Sequence, residues 1–267
     1  MSSIESGNIS MGIIYFFIIM MACILGAIVG LGGGVFIRPI FDAIGYHNVL
    51  NIAFFSSTAI LTMAVVSTIK KVQDGTKIEA KLAMLISAGA VVGGILGDRL
   101  LQHLVYNFNN EANVQRIQII VTIIVLVLSL IFTAKNNLRY IIKNRWICMP
   151  LGVMLGTLAA FLGIGGGPIN VPILMIFFGL PIKSATAYSI VIIFFSHLSR
   201  LIAMGITIGY AYFDLHILVF VIPAAALGGL IGAKFSKVFS ETRVKYLFMA
   251  AISAVIVLNV VNGLFLI

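Results

Sequence analysis

The chain has 267 residues, 61% of them apolar and only 9% charged, with a mean hydropathy of +1.16 and a formal charge of +9. So few charges cannot cover a water-soluble surface, where roughly a quarter of residues are charged, and the apolar runs do not alternate as β-barrel strands do. The positive charge is spread over short loops between apolar runs, which orients membrane spans and offers no basic groove to nucleic acid.

Long apolar runs predict membrane helices at 11–30, 48–69, 79–102, 115–134, 146–164, 183–205, 214–233 and 244–266. The first run follows MSSIESGNIS, which has no Lys or Arg, so it is expected to be a retained span rather than a signal peptide. Two shorter apolar pieces, 35–45 and 168–180, interrupt the series. Each follows a glycine run: GLGGGVFIRPI at 30–40 and GIGGGPINVPI at 163–173, 133 positions later. Each carries a proline at the same offset, Pro39 and Pro172. AFFS (53–56) is echoed by TAYS (186–189), and VVGGILGDR (91–99) by ALGGLIGAK (226–234). The chain therefore reads as two homologous halves, 1–134 and 146–267, joined by a basic linker, 135–145. Cys23 and Cys148 have no metal or redox spacing and imply no disulfide.

Charge sets direction. The linker holds Lys135, Arg139, Lys143 and Arg145 without an acid and is expected in the cytoplasm; both chain ends lack basic residues and are expected outside. KKVQDGTKIEAK before the third span is basic, whereas its counterpart GITIGYAYFD is not. Matching loops thus lie on opposite sides. The expected fold is an all-α polytopic membrane protein of two inverted-topology repeats, each of about four membrane helices plus a short post-glycine helix or hairpin.

Three consecutive glycines end a helix, since each costs about 1 kcal/mol in a helix interior. A break at membrane depth must line an enclosed or wet cavity, and a helix starting there presents free N–H groups and a positive dipole end. Gly32, Gly33, Gly34 and Gly165, Gly166, Gly167 are therefore candidate backbone ligands for an anion near the midplane. Packing is the competing use of such glycines, and the GG pairs at 93–94 and 228–229 are expected to serve it.

GLGGGVFIRP and GIGGGPINVP, with the two-half architecture and small size, resemble the TauE/SafE (sulfite exporter, TSUP) family of bacterial membrane permeases. The resemblance implies transport of a small sulfur-containing anion such as sulfite, thiosulfate, sulfoacetate or another organosulfonate. Arg38 aligns with Val171 between the halves, so the two cradles are chemically unequal.

Among polar residues in the spans, Arg38 suits a sulfonate or carboxylate with its planar fork, or else pairs with Asp42 four positions on or reaches out to the membrane surface, as Arg200 equally could. Ser189, Ser196 and Arg200 share one face of the sixth span; Ser56 is the repeat equivalent of Ser189. These are candidate ligands or, for the serines, helix-packing groups. Asn170 follows the second glycine run. His197 is a candidate for proton coupling and equally a packed histidine. Asp98 and Asp214 read as interface residues, so no acid is expected deep in a span and no carboxylate sodium site is supported. No metal and no cofactor are implied. An enzyme would need a deep catalytic pair; Ser196 and His197 are adjacent on a helix and point apart. The expected protein is a multi-pass permease of the cell membrane, using alternating access, with a channel or a carboxylate carrier as alternatives. Its expected partners are a small anion and the lipid bilayer, with a homodimer left open.

Overall fold

Uninterrupted Ile, Leu, Val and Phe leave the backbone to satisfy its own polar groups, which in hydrocarbon means helices. The computed structural model describes residues 2–76, 79–108, 111–134 and 145–265; Lys135, Arg139 and Lys143 of the basic linker lie outside them. Every regular element among these residues is helical: α1 Ser2–Val29, α2 Gly34–Ile44, α3 Val49–Gln73, α4 Ala80–Asn107, α5 Glu111–Ala134, α6 Cys148–Leu162, α7 Gly167–Phe178, α8 Ile182–Thr207, α9 Leu218–Val238 and α10 Glu241–Phe265. Seven are long and apolar enough to cross a membrane, so the protein is a multi-pass helical bundle.

The fifth span expected from sequence, 146–164, is not one of the seven. α6 has 15 residues, about 22 Å of helix against a hydrocarbon core of about 30 Å. It stops at Gly163, which takes a left-handed conformation (φ 66°) and donates its N–H to the Ala159 carbonyl. The short pieces are helices of 11 and 12 residues, α2 and α7, each about half the core. α2 folds back along α1: the ring of Phe41 stacks on Tyr15 at 4.0 Å.

The paired glycines pack two neighbours at once, as expected. On α4, a Cβ on Gly93 would lie 2.9 Å from the Gly156 Cα of α6, while Gly94 faces Ser196 and Ser199 of α8. On α9, Gly228 faces Met20 and Cys23 of α1, and Gly229 faces Met63 and Ser67 of α3. The most extensive interfaces are α4 with α6 and α1 with α9, followed by α4 with α8 and α3 with α9. At one end of the bundle Asn48 donates to the Tyr212 hydroxyl (3.2 Å) and Phe54 stacks on Phe213 (4.2 Å). At the other, Lys237 meets Asp74 (3.2 Å) and the Lys183 amide meets Glu241 (3.1 Å).

Candidate functional site

The two glycine breaks touch each other. Gly32 and Gly165 have φ of +86° and +85°, a region that disfavours side chains. A Cβ on Gly32 would lie 3.2 Å from the Gly165 carbonyl oxygen, and one on Gly165 would lie 3.0 Å from that of Leu31. From sequence these glycines were expected to clear room for a ligand; here they clear room for the opposing backbone. The amides are also partly spent. Gly34 donates to the Gly32 carbonyl, Phe36 and Ile37 to Gly33, and Ile169 and Asn170 to Gly166. Pro168, at the start of α7, has no N–H to offer.

Proline inside each short helix has a further effect. Pro172 cannot donate to the carbonyl four residues back, that of Pro168. Ser129 of α5 supplies the missing hydrogen bond with its hydroxyl. On α2 the tie falls on the proline's own carbonyl, which accepts from Asn262 of α10 (2.7 Å). Each short helix is thus tied to a long helix of the other half.

Arg38 and Arg200 converge beside the second break. A Cβ on Gly163 would lie 3.3 Å from Arg38 Nη1, 3.6 Å from Arg200 Nη1 and 3.7 Å from the Ser56 hydroxyl. Neither arginine reaches out to the membrane surface: they are 4% and 0% exposed. Arg38 is fixed by Asp42 at Nε (3.0 Å) and by Gln118 at Nη2 (2.5 Å). Gln118 in turn donates to the Phe161 carbonyl at the end of α6 (2.7 Å). Arg200 is held by Asp98 at Nε (3.5 Å) and by Ser57 at Nη1 (3.0 Å). Arg38 Nη1 and Arg200 Nη2 remain buried without a partner among the described residues. Two guanidinium groups beside the same glycine carry like charge and repel each other. Each unpartnered buried donor adds a cost on the order of 1–3 kcal/mol. An oxyanion between them relieves both.

Asp98 corrects the sequence reading. It is fully buried rather than interfacial, and accepts from Gln102 (2.6 Å) as well as pairing with Arg200. An acid therefore does lie deep in a span, but it is committed to an arginine. Asp42 is buried in the same way against Arg38. No group of three His, Cys, Asp or Glu side chains stands together among the described residues.

The remaining candidates divide. Asn170 is 1% exposed, sits against Gly166, and neither its oxygen nor its nitrogen has a partner among the described residues. Ser189 donates to the Gly30 carbonyl of the first break (2.8 Å), tying α8 to it. Ser56 donates to the Ala53 carbonyl (3.2 Å) while facing Gly163. Ser196 bonds the Gly156 carbonyl on α6 (3.4 Å), away from the arginines' partners. His197 is fully buried, with both ring nitrogens unpartnered among the described residues. Sequence reasoning missed Gln118 and Ser129, lone polar positions on the apolar face of α5, and Ser57, which sits between Ser56 and Thr58 without showing which of the three has a partner.

No curated protein and no solved structure matches the chain. The profile of the family described as "Sulfite exporter TauE/SafE" matches residues 15–258, nearly the whole length. The chain therefore belongs to the TauE/SafE sulfite exporter family, and with it to the membrane transporters rather than the enzymes.

Proposed function

We propose that the protein carries a small sulfur-containing anion, such as sulfite, thiosulfate, sulfoacetate or another organosulfonate, bound between Arg38 and Arg200 where the two glycine breaks meet. The observation that carries this reading is the convergence of two buried guanidinium groups, one from each half, each with an N–H left over. Planar forks match the oxygens of sulfite or a sulfonate. The N-termini of α2 and α7, opening at Gly34 and Gly167, add positive potential, and Asn170 and Ser56 add polar atoms. Gly32, Gly33, Gly165 and Gly166 shape this floor. Ser189 positions the first break, and Ser196 acts in packing. His197 beside the site is a proton-coupling candidate.

All these groups are buried, so an anion reaches them only when helices part. We read the halves, 1–134 and 146–267, as inverted repeats that move against each other around the site. The reading is supported by packing that survives exchange of the halves: α4 lies on α6 as α9 lies on α1, and α4 on α8 as α9 on α3. Lys71, Lys183 and Lys237 gather at one end of the bundle, which we place in the cytoplasm with the basic linker 135–145, leaving both termini outside the cell membrane.

Uptake into proteoliposomes tests this. Wild type should show saturable uptake and counterflow of labelled sulfite or sulfoacetate. Arg38→Ala should abolish both while the protein stays monodisperse. Unchanged uptake removes Arg38 from the site; flux without saturation or counterflow favours an anion channel built on the same arginines. Preference for acetate over sulfonates makes the cargo a carboxylate.

A further inference from the structure

Lys71 lies in the last turn of α3 and is 6% exposed. Its ammonium makes no ion pair or hydrogen bond among the described residues, an expensive condition for a buried charge. It lines a cleft of about 410 Å³ with Asp74, Gly75, Thr76, Lys183, Ser184, Ala233, Ser236, Lys237 and Glu241. The two acids there are already engaged. Asp74 accepts from Lys70 and Lys237, both at 3.2 Å. Glu241 accepts from the Lys183 amide at the start of α8 (3.1 Å), and Lys183 Nζ donates to the Lys237 carbonyl (3.2 Å). What remains is an uncommitted cation at the head of a polar cleft, flanked by the hydroxyls of Ser184 and Ser236. The repeat equivalent of Lys71 is Met204, so the feature belongs to one half only and is not part of the duplicated device.

We propose that this cleft is a second oxyanion site, taking a phosphate-type group on the Lys71 ammonium. The group is either inorganic phosphate or the phosphate of an anionic lipid headgroup. Its occupant bridges α3 of the first half to α8 and α9 of the second, and so holds the two halves together at this end. The proposal does not rest on the central arginine site.

The test is thermal unfolding of the purified full chain in neutral detergent at constant ionic strength. Inorganic phosphate is titrated in one arm and phosphatidic acid in mixed micelles in the other. Wild type should gain stability saturably in at least one arm, and the arm that responds identifies the source. Lys71→Met should lose the response, with apparent affinity falling about tenfold or more, and its ligand-free form should melt higher than wild type. Lys71→Arg should keep the response, as should Arg200→Gln. Should Lys71→Met fail to accumulate, Lys71→Gln makes the same comparison. Stabilisation by neither ligand, or a response that survives in Lys71→Met and vanishes in Arg200→Gln, overturns the proposal.

Discussion

Asp98→Asn separates the two tasks assigned to the buried Arg200. The carboxylate neutralises Arg200 at 3.5 Å, and both side chains are fully buried. Asparagine preserves the shape and an acceptor for Gln102 but leaves the guanidinium uncompensated. Breaking a buried pair in this way costs on the order of 3–5 kcal/mol, so the anion-free variant should unfold at markedly lower denaturant. The same change should strengthen anion binding. An anion on the far side of the guanidinium sits about 7 Å from the Asp98 carboxylate, where an effective dielectric of about 20 gives about 2 kcal/mol of repulsion. Removing it should tighten binding about 30-fold. Equilibrium unfolding with and without sulfite, paired with calorimetric titration, reads both quantities. The double variant Asp98→Asn, Arg200→Gln should recover most of the stability and bind nothing. A single variant as stable as wild type, with unchanged affinity, would refute the charge reasoning.

Other changes test the supports of the site. Ser129→Ala should cost about 1–3 kcal/mol in unfolding experiments, because the Pro168 carbonyl is then buried without a donor. Gly165→Ala should lower stability by at least about 2 kcal/mol and suppress uptake, since a side chain at φ +85° meets the Leu31 and Gly32 carbonyl oxygens at 3.0 and 3.1 Å; normal uptake would show that the breaks need not touch. Hydrogen bonding from Lys237, and then Lys70, lowers the Asp74 carboxyl below its ordinary range. A depressed carboxyl contributes stability that is fully present above the unfolded value of about 4 and lost as pH falls through the lower folded value. Melting measured across an acid series should therefore fall less steeply below pH about 4 in Asp74→Asn than in wild type, with the same slope in both from about pH 5 to 8.

Much of this was legible in the residues. Three glycines followed by proline marked both breaks, because no helix tolerates that run and no lipid-facing loop can follow it. The GG pairs foretold close helix contact for the same steric reason. Less visible was the destination of the freed backbone. Glycine permits close approach without naming what approaches, and Gly32 and Gly165 stand against each other's backbone. Asp98 looked interfacial because it sits beside Arg99 and near the end of an apolar run, whereas α4 continues to Asn107 and draws it inside. Gln118 and Ser129 share one face of α5, three turns apart, yet single polar residues on a helix do not announce their partners. Arg38 was undecided between Asp42 and a ligand; its fork serves Asp42 with one nitrogen and leaves another free.

The central claim, an anion held between Arg38 and Arg200 at the meeting of the two breaks, is tested most directly by a crystal structure with selenite, whose selenium scatters anomalously and whose shape matches sulfite. One anomalous peak between the two guanidinium groups, with selenite oxygens within hydrogen-bond distance of Arg38 Nη1 and Arg200 Nη2, is the expected result. Saturating selenite bound elsewhere, with both nitrogens still unpartnered, would contradict it.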